Sequence, residues 1–419
     1  MIAIPKEDKL IGLEAYNTST KPINGRIKRR ASDFFVEETL KKEFMRKLRS
    51  KPSKNFSYPV LRIKKKGKDT LAMISEIASS FNLSPSDLRF LGLKDSQAIV
   101  VQYVSISRAV KISGKWMVVG WARRPLLRED MLGNFFRVKV RISDVKRKIN
   151  TIRKFVEEVE EKGVPNFYCY QRFGSPRGIN HLVGEKIVKG DFKGAVLIYL
   201  TARSGFEKPE IEHWRKDLRD SLNFRRAYNE APAQLEYERI MLSRLIKRPN
   251  DFKGALRGMP ISLRRLFVNA YQSYLFNKAL SMRIKLGLPI NKALKGEPFY
   301  DLKSGRIRIN DSEHEWLRVP VMQVIGYGYR EVEGRQAKIE RRILKEENIS
   351  PKMFYIREMP ELSCKGGWRT QTAQLWWLTV KSFLKEDFIE LSFMLKPGEY
   401  ATSLLRELIK PRRPYLQGF

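Results

Sequence analysis

The chain has 419 residues, with 82 Lys and Arg against 46 Asp and Glu, a formal charge of +36. Its 42% hydrophobic and 11% aromatic content exclude a disordered chain and allow two or three domains with a sizeable core. Surplus charge of this size suits a polyanion such as nucleic acid, whose counterions are released on binding; the plainer alternative is a Lys/Glu-rich surface adapted to heat.

Absences narrow the chemistry. The longest apolar runs, such as residues 195–200, are too short to span a bilayer, and the first thirty residues carry no apolar signal core. Cys169 and Cys364 cannot form a disulfide framework, and with the missing signal they point to the cytoplasm. His181, His213 and His314 stand without a second metal ligand at useful spacing, so no zinc site is expected. There is no G-x-S-x-G or phosphate-binding P-loop, and Gly326-Tyr327-Gly328 lacks the third glycine of a dinucleotide fingerprint. What remains is a carboxylate working without metal or nucleotide cofactor, or no chemistry at all. With no heptad seam, a monomer is expected.

In chain order, Asp33 to Glu38 reads as a strand. Thr70 is placed to cap a helix carrying Leu71, Ile74, Ala78 and Phe81 on one face, and Ser84-Pro85 starts another turn. A helical pattern then leads to Gly92-Leu93-Lys94-Asp95, and Ala98 to Ile106 leads out as a strand. One aspartate thus sits on a short loop between ordered elements, where catalytic side chains concentrate, and adjacent Lys94 favours its ionised form. Phe136, Val138, Val140 and Ile142 alternate with Arg137, Lys139 and Arg141, a strand with one apolar and one cationic face. A solvated outer face explains those cations slightly better than an RNA-binding sheet does.

Ile152, Phe155, Val156 and Val159 share a helical face that ends near Gly163. A helix-rich region follows to about residue 370. Its strongest helix spans about 262–285, with a stripe of Leu263, Leu266, Phe267, Ala270, Tyr271, Tyr274 and Leu275. These aromatics read as core rather than a stacking platform. Strand alternation returns at Ile389, Leu391, Phe393 and Leu395, and Thr402 or Ser403 is placed to cap a last helix ending at Lys410-Pro411.

Six ordered motifs then resemble the TruD family of pseudouridine synthases. They are Asp33-Phe34-x-Val36-x-Glu38 with Ile27-Lys28 upstream; Gly92-x-Lys94-Asp95 with Ala98 and Gln102; Gly133-Asn134-x-Phe136; Asn166 with Gln171-Arg172-Phe173-Gly174 and Asn180; the run from Asn269 to Asn277; and Pro397-Gly398-x-Tyr400-Ala401-Thr402-x-x-Leu405-Arg406-Glu407. They span residues 27 to 407, and Gly366-Gly367-Trp368-Arg369 looks closer to archaeal and eukaryotic members. Three positions depart from the family pattern: Ser96 where Arg or Lys is common, Val101 where Thr is common, and Cys169 in place of Gly. Ser96 bears on a phosphate contact and so on substrate preference.

The resemblance implies an α/β (α+β) fold, with a pseudouridine synthase-type catalytic domain built on a mixed, largely antiparallel sheet and a helix-rich inserted TRUD domain. The expected boundaries are 1–160 and 375–419 for the catalytic domain and 165–370 for the insertion. It implies isomerisation of uridine to pseudouridine in tRNA, by default at uridine-13, without a cofactor. Asp95 is then the nucleophile, Lys28 its ion partner, Phe136 the stacking ring on a flipped-out base, and Asn134 a nearby hydrogen-bonding group. Phe34, Gln171 and Arg172 complete the substrate-binding set. Read without the resemblance, Lys28 is one more phosphate-binding cation and Phe136 is core. The rival functions are an RNA-binding protein of the same fold without turnover, and a DNA-joining or DNA-cleaving enzyme.

Overall fold

The computed structural model describes residues 2–419 apart from 93, 96, 108, 109, 111, 113–115 and 312–317. The expectations on Ser96 and His314 lie outside the described residues. Among the described residues, twelve strands form two sheets. The first contains β1 (Phe34–Leu40), β2 (Tyr58–Lys66), β3 (Leu88–Phe90), β4 (Ile99–Ile106), β5 (Met117–Ala122) and β6 (Met131–Arg141). The second is made of β7 (Pro298–Asp301), β8 (Arg306–Ile309), β9 (Arg318–Val324) and β10 (Gly367–Thr370). The last two strands, β11 (Trp376–Phe383) and β12 (Phe388–Leu395), return to the first sheet, whose order is β11-β12-β6-β1-β4-β2-β5, with β3 also on β4. Among the described residues of this sheet, β1 and β4 run parallel and the other pairs are antiparallel.

Alternation decides what the central strands bury. Phe34, Val36, Glu38 and Leu40 point to one side of β1 and are buried. Register sets Val36 opposite Phe136 and Glu38 opposite Asn134 on β6; Phe393 and Leu395 of β12 flank the same two positions. Gly133 is required by the close approach of β12: a Cβ there would fall inside van der Waals contact of the Leu395 carbonyl oxygen. On the opposite face Arg137 is exposed over the Phe35 ring, while Arg141 pairs with Asp33 through two hydrogen bonds of 2.7 and 3.0 Å.

The helix expected near residue 152 spans Val145–Lys162 and ends at Gly163, whose φ of 76° suits glycine. Helix Ile261–Lys285 packs on helix Asn180–Val188, and one continuous hydrophobic core runs from the main sheet into these helices. The buried part of its stripe is Phe267, Ala270, Tyr271 and Leu275, as expected of core.

Four local expectations are corrected. The cap of helix Thr70–Ser80 is Asp69, whose carboxylate accepts from the Leu71 and Ala72 amides, and Leu71 is exposed while Met73 and Ile77 are buried. Asp69 takes the cap because the Thr70 hydroxyl is committed to Lys94, accepting from its amide at 3.1 Å. The element immediately before Gly92 is strand β3, not a helix. Tyr400, rather than Thr402 or Ser403, precedes the helix Ala401–Ile409; the Ser403 hydroxyl donates to the Pro165 carbonyl at 2.6 Å. The helix-rich region also contains the four-stranded sheet β7–β10, three of whose strands are only four residues long and too short to show a clear period.

Candidate active site

The Gly92 loop is built by three neighbours. Gly92 has φ 146°, a conformation that side chains disfavour. Buried Gln102 on β4 donates to the Gly92 carbonyl at 3.5 Å. Lys94 Nζ lies 2.8 Å from Glu38 Oε1 and donates to Asn134 Oδ1 at 3.0 Å, bridging the cross-strand pair of β1 and β6. Lys94 is therefore a strut that anchors the loop to the sheet. The expectation that it holds Asp95 ionised is corrected: consecutive side chains on this loop point to different partners.

The cation on Asp95 is Lys28, from the segment ahead of β1, the strand that runs parallel beside the β4 that Asp95 precedes. Its Nζ is 2.5 Å from Asp95 Oδ2, with side-chain exposures of only 7% and 16%. Lys28 has φ 53°, unfavourable for a branched side chain and uncommon for any residue but glycine or asparagine. Its segment is held on both sides: Arg26 exchanges backbone hydrogen bonds with Arg141, and the Ile27 amide donates to the Gln417 carbonyl at 2.9 Å. The Gln97 amide donates to Asp95 Oδ1 at 2.8 Å and Gln171 Nε2 to Oδ2 at 3.1 Å. Burial pushes the Asp95 carboxyl up, but the Lys28 charge and hydrogen bond, the Gln97 amide and the Lys65 charge together hold it below its ordinary value. Asp95 is thus an ionised carboxylate at neutral pH.

Asp95 opens on a cavity of about 480 Å³, within the usual range for small-ligand sites. Lys28, Phe34, Asn134, Phe136, Gln171 and Arg172 all line it, so the structure brings every sequence-selected residue to one place. Phe136 stacks on Phe393 with centroids 5.3 Å apart and meets Phe34 edge-on at 6.1 Å. Only 7% of Phe136 is exposed, so it serves both as core and as cavity wall. The Arg172 guanidinium donates to the Ser273 hydroxyl at 3.1 Å and lies over Tyr168.

The remaining motif residues hold these segments together. Asn277 accepts from the Tyr168 amide and donates to the Tyr168 and Ile11 carbonyls, all at 2.8–2.9 Å. Buried Arg406 donates to Asp8, which also accepts from the Tyr170 hydroxyl, each at 2.6 Å. Tyr170 precedes Gln171, so this buried network fixes the segment that reaches Asp95. Cys169 is fully buried, its thiol pushed up to about 12 by burial, and is inert packing.

Sequence reasoning gave no site role to Arg128, Leu266, Glu399 or Tyr400, which also line the cavity. Tyr400 and Glu399 belong to the Pro397-Gly398-x-Tyr400 motif, the signal that could have found them. Among the described residues no group of three or more His, Cys, Asp or Glu could hold a metal, and no helix is long and apolar enough to cross a membrane.

The family model for tRNA pseudouridine synthase D (TruD) matches residues 10–408. A Thermococcus onnurineus protein named probable tRNA pseudouridine synthase D is 34% identical, over 94% of this chain and 96% of its own. One from Methanosarcina acetivorans with the same name is 30% identical over 97% of both. A crystal structure of the Methanosarcina mazei TruD superposes with a TM-score of 0.80 at 28% identity, covering 99% of each chain. On its fold, on the motifs gathered at the Asp95 cavity and on these matches, the chain belongs to the TruD family of tRNA pseudouridine synthases, which are isomerases.

Proposed function

We propose that the Asp95 cavity isomerises a uridine of tRNA to pseudouridine, uridine-13 being the target the family resemblance favours. The observation that carries this reading is an ionised, partly buried carboxylate, paired with one lysine, at the floor of a cavity walled by Phe34 and Phe136. Asp95 acts as the nucleophile, on base or ribose; the bond from uracil N1 to the ribose C1′ breaks, C5 bonds to C1′ in its place, the bond to Asp95 is released to regenerate the carboxylate, and the proton lost from C5 is balanced by one gained at N1. Lys28 keeps the carboxylate charged and aimed. A base inside a duplex cannot reach Asp95, so the uridine is flipped out and received against Phe136, with Asn134 oriented by Lys94 for hydrogen bonding. Gln171 donates to Oδ2, the oxygen that Lys28 also holds, and so helps to aim the carboxylate, and Arg172 lines the entry for the sugar-phosphate backbone.

In this reading residues 1–160 and 375–419 form the catalytic unit and 165–370 an insertion over its cleft. The pairing of β12 with β6 supports that division. The protein acts as a monomer in the cytoplasm, with tRNA as its partner.

The test is Asp95→Asn, nearly isosteric but without the charge. Pseudouridine formation in bulk tRNA should fall to background while tRNA binding and the melting temperature stay near wild type. Undiminished product would refute the role of Asp95. Wild-type protein that binds tRNA tightly yet leaves every uridine unchanged would favour the binding-protein alternative.

A further inference from the structure

A second cavity, larger than the Asp95 cavity, is a groove of about 890 Å³ formed by helix Lys42–Lys47, the chain after it, and the segment following β5. No residue of the helical region 165–370 lines it. The Arg49 and Trp121 backbones exchange hydrogen bonds of 2.8 and 3.0 Å, so the segment after the helix is laid along edge strand β5.

The lining carries six basic side chains, Lys41, Arg46, Lys47, Arg49, Arg123 and Arg124, against three acids. Two acids are spoken for: Asp130 accepts two hydrogen bonds of 2.7 Å from Arg124, which also approaches Glu129 at 3.5 Å. Of the other five cations, Lys41 acts on Asp130 at longer range, while Arg46, Lys47, Arg49 and Arg123 have no carboxylate within 4 Å among the described residues, and all five are exposed. At the centre is Phe56, half-buried, with the Arg123 and Arg49 guanidinium carbons 4.8 and 5.5 Å from its ring centroid. Cations left without counter-charges around an aromatic ring and planar guanidiniums match phosphodiesters and an unpaired base.

The groove also adjoins the site. Arg128 and Met131 line the Asp95 cavity, and Glu129 and Asp130 between them line the groove. One short turn separates the two. A strand whose uridine enters the cavity leads its flanking nucleotides across that turn.

We propose that this groove binds a stretch of the RNA substrate flanking the modified uridine. Arg46, Lys47, Arg49 and Arg123 neutralise phosphates, and an unpaired base lies against Phe56. The inference rests on the tRNA reading above, and it assigns affinity, not chemistry, to the groove.

The experiment compares wild type with Arg49→Ala/Arg123→Ala and with Phe56→Ala on a tRNA transcript. Filter binding is measured across a salt series, beside single-turnover pseudouridine formation at saturating tRNA. The double variant should bind about tenfold more weakly, with the log–log salt slope reduced by about 0.7–0.9 per lost phosphate contact. Phe56→Ala should bind about fivefold more weakly with its slope unchanged, because stacking releases no counterions. Saturating rates and thermal unfolding should match wild type in both, and Arg49→Lys/Arg123→Lys should restore the slope. A photoreactive benzoylphenylalanine at position 56 should cross-link nucleotides beside the target and not the target itself. Unchanged affinity and slope would overturn the proposal, whatever else the groove binds, and so would a lower saturating rate with unchanged affinity. If wild type forms no pseudouridine in tRNA, the functional reading fails instead, and the groove is judged by binding, slope and cross-link alone.

Discussion

Replacing Lys28 with Met keeps the length of the side chain and its apolar stem but removes the charge beside Asp95. The structure gives the size of the effect. Asp95 loses a charge-assisted hydrogen bond of 2.5 Å and keeps the Gln97 amide at 2.8 Å and Gln171 at 3.1 Å. A hydrogen bond to a charged group contributes about 1.5–3 kcal/mol, so the ionised form of Asp95 loses stabilisation of that order and its carboxyl should rise. The sign follows from the wild-type state. There the carboxyl is held below its ordinary value, so activity that needs the ionised form is lost only as pH falls through that depressed value. In Lys28→Met the acid limb should move toward neutrality. Loss of aim adds a further cost at neutral pH, about a hundredfold for a displacement near 1 Å. The assay is single-turnover pseudouridine formation at saturating tRNA over a pH series, with thermal unfolding as the control for folding. A variant with wild-type rate at neutral pH and an unmoved acid limb would refute both the pairing and the role assigned to Asp95.

Phe136→Ala should lower both the melting temperature and the saturating rate. The ring is core as well as cavity wall, and its removal costs about 3–5 kcal/mol. Phe136→Leu separates the two effects, and a Leu variant with full single-turnover rate would remove the stacking role. Exposed Arg29 and Arg30 lie next to Lys28. Neutralising both should flatten the salt dependence of tRNA binding by up to about 0.7–0.9 per residue and leave the saturating rate unchanged. Gly133→Ala should force β12 away from β6 and displace Asn134, so circular dichroism melts and activity should both fall, and a neutral outcome would show that the sheet gives way there without cost.

How far the chain could be read by itself depended on the range of the interaction concerned. The alternation of Phe34, Val36 and Glu38, and of Asn134 and Phe136, is legible because side chains in a strand take opposite faces every residue. Helix Val145–Lys162 and its Gly163 stop are legible for the same local reason. The charge excess and the ordered motifs carried the function class, since both are properties of composition and order. Local competition was harder to read: Thr70 looks like a cap until its hydroxyl is seen committed to Lys94, and Asp69 takes its place.

Apart from the Lys28–Asp95 pair, which the family resemblance implied, which cation meets which carboxylate was decided by tertiary structure. Lys94 is bonded to Asp95 along the chain and so looks like its partner, yet register places Glu38 opposite Asn134 and draws Lys94 between them. Lys28, 67 residues away, is brought to Asp95 by a left-handed turn pinned between Arg141 and Gln417. The basic groove was invisible for the same reason, because residues 41–56 and 122–130 meet only once the segment after helix Lys42–Lys47 has folded back along β5. Sequence carries the periodicity of each element, which is set by backbone geometry a few residues at a time. Ion pairs and cavities depend on how distant elements are registered, which is set by the packing of the whole sheet and its helices.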